Sequence, residues 1–296
     1  MIKGSIVALV TPFNYDYSVN FEKLGELIEF HIEQKTDAIL ILGTTGESSV
    51  LTFDEEADIV KYTVAKANKR IPIIVGSGSN DTAIAIWQSQ RFEKMGADGL
   101  LVITPYYNKT NEEGMYNHFK MIAQSVKCPI IVYNVPARTG CAISINVLKR
   151  LIQIENIKGI KEASGSIQYV TKVAKLLSDD FVMYSGNDDM VLPVLGLGGS
   201  GVISVAANIM PKTMHDMVET YLNGNIEESR RIQLDNLDII DSLFYEVNPI
   251  PVKDAVNHLG LEVGPCRMPL GEMDKTLAKK MYDIIDNSDV VYKWKK

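Results

Sequence analysis

Cysteine is scarce in this chain: three in 296 residues, Cys128, Cys141 and Cys266, with no CxxC spacing among them. That excludes a disulfide framework and a thiolate zinc site, and predicts reduced, mostly buried thiols. Histidine is hardly commoner. His31, His118, His215 and His258 form no HExxH or HxH pair, and each falls in a helical pattern, so no metal centre is expected. Positive charge is in deficit, with 30 Lys and Arg against 37 Asp and Glu and a net charge of -7. A phosphate-binding face needs the opposite balance, so no nucleic-acid partner is expected. No run approaches the roughly 20 apolar residues of a membrane span. The opening MIKGSIVALVTPF holds an apolar stretch too short for a secretory leader and ends it at a proline. A cytoplasmic protein without membrane contact is the expectation. A P-loop and a GxSxG elbow are also missing. GLGGSG (196–201) matches GxGxxG, but it follows a helical pattern and precedes a strand, the reverse of the dinucleotide order. It reads as a turn, and no cofactor is expected.

What is present is periodic. Short runs of branched residues alternate with helical patterns at a spacing of roughly 25 to 30 residues, as in βα units. The strand candidates are 5–10, 38–42, 72–75, 99–103, 129–134, 157–161, 181–185 and 201–205. Their unbroken hydrophobicity suits parallel strands covered on both faces. Between them, Phe21, Leu24, Ile28 and Ile32 make a helical stripe. Thr52 with Glu55 and Thr110 with Glu113 have capping-box spacing, and Gly96 stops a helix over 81–95. Eight such repeats without a break in composition predict an α/β fold, a closed (β/α)8 TIM barrel over residues 1–224. After about Pro211 strand patterns cease. Stripes such as Leu234, Leu237, Ile240 and Leu243 predict a helical C-terminal extension, residues 225–296.

The chemistry is expected at the carboxyl ends of the strands. IKGIKEASG (157–165) places a lysine inside a strand pattern, and alternation puts Ile157, Gly159, Lys161 and Ala163 on one face. If that face points inward, Lys161 is buried, its pKa falls, and the amine becomes a nucleophile toward carbonyl carbon, with Gly159 leaving space below it. The alternative is an edge strand with a solvated lysine. After the second strand, GTTGES (43–48) offers two hydroxyls and backbone N–H groups in a glycine turn, either a plain turn or a nest for a carboxylate. The fourth strand leads to Tyr106 and Tyr107, the fifth ends in YNVPARTG with Tyr133 and Arg138, and the seventh in YSGND. A lysine, a tyrosine, an arginine and hydroxyls together suit imine chemistry on a keto acid. Lys161 would form the imine, Tyr133 would move protons, Thr44 and Thr45 would hold a carboxylate, and Arg138 would grip a second one through paired hydrogen bonds.

GTTGES, YNVPARTG, GIKEASG, YSGND, GVISVAANIMP and NPIPVK together resemble the signatures of the pyruvate-dependent class I aldolases, and within them the dihydrodipicolinate synthase family, over nearly the whole chain. The resemblance implies a homotetramer that condenses pyruvate with L-aspartate 4-semialdehyde on the diaminopimelate route to lysine. It implies Lys161 as the imine lysine, and Thr44, Tyr133 and Tyr107 as a proton relay, Tyr107 reaching in from a neighbouring subunit. It also implies Thr45 on the pyruvate carboxylate, Arg138 on the semialdehyde carboxylate, and Gly186 and Ile203 lining the pyruvate end. A sister aldolase acting on N-acetylneuraminate or a 2-keto-3-deoxy sugar acid is the competing reading, and Arg138 speaks against it because a polyol wants neutral partners. Lysine-regulated relatives bind the amino acid in a pocket that maps onto Ser48, Ser49, Phe53, Glu56, Asn80, Ile84 and Tyr106. They carry a glutamate where Ile84 stands and commonly histidines where Phe53 and Glu56 stand. Weak or absent inhibition by lysine is the expectation.

Overall fold

The computed structural model describes residues 1–294. Eight strands run in order: β1 Gly4–Ala8, β2 Ala38–Ile41, β3 Ile73–Gly76, β4 Gly99–Ile103, β5 Ile130–Asn134, β6 Ile157–Glu162, β7 Val182–Ser185 and β8 Gly201–Ser204. They form one closed barrel in sequence order, and the strand pairs with assigned register are parallel. This is the expected α/β barrel, with helices between the strands and five more after β8. The strand positions agree with the sequence reading to within two residues, and the differences have local causes. β1 stops before Val10 because the Val10 N–H is taken by the side-chain oxygen of Asn208 at 3.1 Å.

The chain divides into two compact units. One comprises residues 73–203 with the first three, and holds the parallel ladder from β3 into β8. Its core includes Phe92, Phe119, Tyr184 and the strand residues Val102, Val132 and Ile160, all essentially without exposure. The other comprises residues 4–72 with the chain from Ser204 onward, so the C-terminal helices belong to the same unit as β1 and β2. There the helix Phe21–Glu33 buries Leu24, Leu27 and Ile28. Met214, Met217, Ile240 and Leu243 are buried in the same unit.

Among the caps, Thr52 accepts from the Glu55 N–H while Glu55 returns a bond to the Thr52 N–H, the expected capping box. The second box does not form. Asn111 takes the N-cap of the helix Glu112–Ser125, accepting from the Gly114 N–H at 2.9 Å, and Glu113 instead chelates Arg150. Two adjacent capping residues compete there, and asparagine, the stronger N-cap, wins. Gly96, with φ 98°, ends the helix Thr82–Lys94 as expected. The leucine stripe is also corrected. Asn236 separates the helices Ile226–Asp235 and Leu237–Ser242, Leu234 is 61% exposed, and the inward face is carried by Ile232, Ile239, Ile240 and Leu243. GLGGSG is the turn between the helix Val191–Gly196 and β8. The three cysteines are free but half-buried rather than buried.

Candidate active site

Lys161 lies near the carboxyl end of β6. Across the ladder it faces Tyr133 of β5 on one side and Tyr184 of β7 on the other. A register shift near the start of the β5–β6 ladder pairs Ile130 with Ile157 and Ile131 with Gly159, passing over Lys158. Lys158 turns to an ion pair with Asp180 at 3.6 Å, whereas Lys161 is 6% exposed on a strand paired on both sides, so the solvated-edge alternative fails for Lys161. The Lys161 ammonium stands 4.4 Å from the centroid of the Tyr133 ring. Its pKa is lowered to about 8, chiefly by burial and also by the Arg138 guanidinium, against the opposing pull of the Asp188 carboxylate. A buried amine with a depressed pKa, over a tyrosine, is what nucleophilic attack on a carbonyl requires.

The space beneath the lysine is not empty. A Cβ on Gly159 would meet the Val182 carbonyl oxygen at 3.0 Å and the Tyr184 ring at 3.7 Å, so Gly159 makes room for β7 rather than for Lys161. Tyr184 spends its hydroxyl on the Ile2 carbonyl at 2.6 Å, and burial raises its pKa. It is a packing residue.

Gly186 follows β7 and lies close beside Lys161. A Cβ there would come within 2.6 Å of the Ala163 Cβ, 3.1 Å of the Glu162 carbonyl oxygen and 3.2 Å of the Lys161 Cε. Gly186→Ala is therefore expected to cost about 1 to 3 kcal/mol of stability through overpacking. It should also slow borohydride trapping of a carbonyl reagent on Lys161 by on the order of tenfold or more, because the amine is displaced. Unfolding and trapping rates measured side by side check this, and an unchanged trapping rate would contradict it. Ile203, on β8, is 1% exposed.

Three polar residues in this unit escaped the sequence reading. Asp188, 2% exposed, follows Gly186 and Asn187 and acts electrostatically on Lys161. Glu162, next to the lysine, is buried on the opposite strand face. It accepts from the Asn134 side chain and from the Ser164 N–H, each at 2.7 Å, and burial raises its pKa. Asn134 also accepts from the Ile143 N–H at 3.0 Å. One carboxylate and one amide thus join β5, β6 and the segment just past Arg138. The signal in the sequence was the pair of polar residues at strand ends, Asn134 and Glu162, one step from the expected tyrosine and lysine.

Arg138 is exposed, on the short helix Pro136–Thr139 that Gly140 closes with φ 70°. Tyr107 is 91% exposed with φ 66°, and Tyr106 is 37% exposed. The unit therefore brings Lys161, Tyr133 and Gly186 together, while Tyr107 stands out in solvent.

In the other unit, the turn after β2 leaves Thr44 half-buried and Thr45 3% exposed. The Thr45 hydroxyl accepts from the Asn248 side chain at 3.0 Å. One group of possible metal ligands occurs among the described residues: His215, Asp216 and Glu219 on the helix Pro211–Leu222, with ligand atoms within 4.8 Å of one another. The histidine spacing alone did not reveal it, because two of its three members are carboxylates. His215 Nδ1 already shares a hydrogen bond with Asp37 at 2.9 Å. Among the described residues no helix is long and apolar enough to cross a membrane.

Residues 1–288 match the model of the dihydrodipicolinate synthetase family. The chain is 54% identical over 270 residues to a 4-hydroxy-tetrahydrodipicolinate synthase of Acetivibrio thermocellus, covering 91% of each sequence. It superposes on the crystal structure of dihydrodipicolinate synthase from Aquifex aeolicus with a TM-score of 0.96 and 41% identity, covering 99% of this chain and all of that one. The chloride-inhibited dihydrodipicolinate synthase of Acinetobacter baumannii, solved with pyruvate, is similar at 39% identity and a TM-score of 0.95, covering 98% and 100%. With a buried amine at the end of β6 and likeness along nearly its whole length, the chain belongs to the dihydrodipicolinate synthetase family.

Proposed function

We propose that the protein is a 4-hydroxy-tetrahydrodipicolinate synthase, joining pyruvate to L-aspartate 4-semialdehyde through an imine on Lys161. The observation that carries this is the Lys161 amine, 6% exposed, with its pKa lowered to about 8 and set against the Tyr133 ring, in a chain of this family. The neutral amine adds to the keto carbon of pyruvate, and loss of water gives the imine. The imine acidifies the neighbouring methyl group, whose deprotonation gives an enamine that attacks the aldehyde carbon of the second substrate. Tyr133, Thr44 and Tyr107 carry the protons of these steps. Thr45 holds the pyruvate carboxylate, Gly186 and Ile203 line the pyruvate end, and Arg138 takes the carboxylate of the semialdehyde. No cofactor or metal enters the sequence of steps.

A sister aldolase acting on a longer polyol is the second reading, and Arg138 favours the short dicarboxylic product over it. Purified protein should consume pyruvate only when aspartate semialdehyde is present. Turnover of N-acetylneuraminate without that reaction would reverse the order.

The working assembly is a homotetramer in the cytoplasm, in which Tyr107 serves the site of a neighbouring subunit. An aromatic residue 91% exposed and held at positive φ is costly in a lone chain and reasonable at a contact. Dissociated monomers should stay folded and lose most activity. Full activity in a species that sediments as a monomer would remove Tyr107 from the relay. Residues 1–224 act as the catalytic barrel and 225–296 as its helical extension.

Free lysine should inhibit weakly if at all. At the positions where regulated relatives bind it, Phe53 and Ile84 are 49% and 37% exposed and apolar and offer an ammonium no charge, which leaves Glu56, 5% exposed, as the carboxylate that would have to compensate. An ammonium buried without its carboxylate loses roughly 3 to 5 kcal/mol, more than a hundredfold in affinity. An inhibition curve checks this, and half-inhibition below about 1 mM, an ordinary effector concentration, would contradict it.

A further inference from the structure

The turn after β2 ends on a charge that the substrate chemistry does not use. The Glu47 side chain is 0% exposed, and its Oε1 accepts from Lys253 Nζ at 2.7 Å, on a lysine whose side chain is 1% exposed. A buried ion pair gives little stability over apolar residues of the same size, so stability alone does not account for it. Glu47 also adopts φ 55° and ψ 33°, a left-handed backbone that a non-glycine residue keeps only where its surroundings impose it. The surroundings do so here. Its second oxygen accepts from the Arg267 N–H at 2.8 Å. Lys253 Nζ and the Arg267 guanidinium lie 4.0 and 4.3 Å from the centroid of one ring, Phe13.

The residues before Glu47 are tied as well. Gly46 gives its carbonyl to the Thr11 hydroxyl at 2.6 Å, and Thr45 Oγ1 accepts from Asn248 Nδ2 at 3.0 Å. Asn248 stands just before the helix Ile250–His258 that carries Lys253, so one C-terminal segment grips the turn at two points. The bond from Asn248 has a directional consequence. A hydroxyl has one proton, and with a lone pair engaged by the amide that proton is left to donate to a ligand.

From this geometry we infer that Glu47 and Lys253 are positioning residues for pyruvate binding. The buried pair, with Asn248, fixes the Thr44–Thr45 backbone so that its hydroxyl and N–H groups converge on the carboxylate. This rests on the reading that Thr45 takes that carboxylate. It gives the C-terminal helices a task in the reaction without placing any of their residues on the substrate. Breaking the pair should weaken pyruvate capture while leaving the imine chemistry on Lys161 intact once pyruvate is saturating.

The test uses the full chain and measures three things: the thermal midpoint, the pyruvate concentration giving half-maximal borohydride adduct on Lys161, and kcat at saturating pyruvate. Lys253→Met alone leaves a buried carboxylate and should lower the midpoint. Glu47→Gln/Lys253→Met removes both charges at similar volume and should recover much of it. In that double variant the half-saturating pyruvate concentration should still rise by on the order of tenfold, with kcat changed far less. Asn248→Ala, which alters no charge, should raise the same concentration by about threefold, the effect of one neutral hydrogen bond. A folded double variant, or a folded Asn248→Ala, with the wild-type pyruvate dependence overturns the positioning role while the substrate reading stands. Failure of the wild-type protein to trap pyruvate overturns both.

Discussion

Lys161→Ala is expected to lose condensation activity by on the order of 10⁴-fold or more, and to lose the borohydride adduct altogether, because the covalent step has no substitute. Lys161→Arg should fail as well, since a guanidinium stays protonated and is a poor nucleophile. The pH dependence tests the cause. With a pKa lowered to about 8, the amine is about one-tenth neutral at pH 7, against about 0.03% for an ordinary lysine near 10.5. Adduct formation should therefore rise with pH through about 8 and level off above it. The neighbours set the sign of further shifts. Asp188 raises the pKa, so Asp188→Asn should move the midpoint to lower pH, and Arg138 lowers it, so Arg138→Ala should move it to higher pH. Lys158, paired with Asp180 at the start of the strand, is the internal control. A label on Lys158, or an adduct persisting in Lys161→Ala, would refute the assignment.

The barrel was legible because its information is local. A parallel strand covered on both faces writes itself as four to six apolar residues, and a helix writes its stripe within a dozen. Lys161 could be singled out for the same reason: a charge inside such a run must either be costly or be used. What the sequence did not reveal depends on partners far along the chain. Glu47 meets Lys253 across 206 positions, and nothing near either residue announces the other. Asn134 meets Glu162 across 28 positions, and Asp188 reaches Lys161 from a neighbouring strand end. Gly159 was misread on the same account, because the ring that fills the space beside it comes from Tyr184 on β7. The competition at Thr110 and Asn111 and the break at Asn236 are smaller failures. There, two local solutions of similar energy existed, and tertiary packing chose between them.

Arg138→Ala separates the two substrates. The arginine sits on a turn whose backbone is held although its side chain is exposed: Thr139 donates from its hydroxyl to the Cys141 carbonyl at 2.8 Å, and the Ile143 N–H is tied to Asn134 at 3.0 Å. An exposed guanidinium contributes little to folding, so the variant should unfold at nearly the wild-type temperature. Its contribution should appear when a carboxylate arrives and water leaves, where losing a charge-assisted pair is expected to cost on the order of 2 to 5 kcal/mol, roughly 30- to 5,000-fold in kcat/KM for the semialdehyde. Pyruvate needs no second carboxylate contact, so at a pH well above 8, where the amine is neutral with or without the arginine, the amount of trapped adduct should match the wild type. Arg138→Lys keeps a charge but loses the planar fork, and should recover only part of the semialdehyde loss. If adduct formation at high pH falls as far as condensation does, the guanidinium serves pyruvate or Lys161 itself, and the division of labour between Thr45 and Arg138 is wrong.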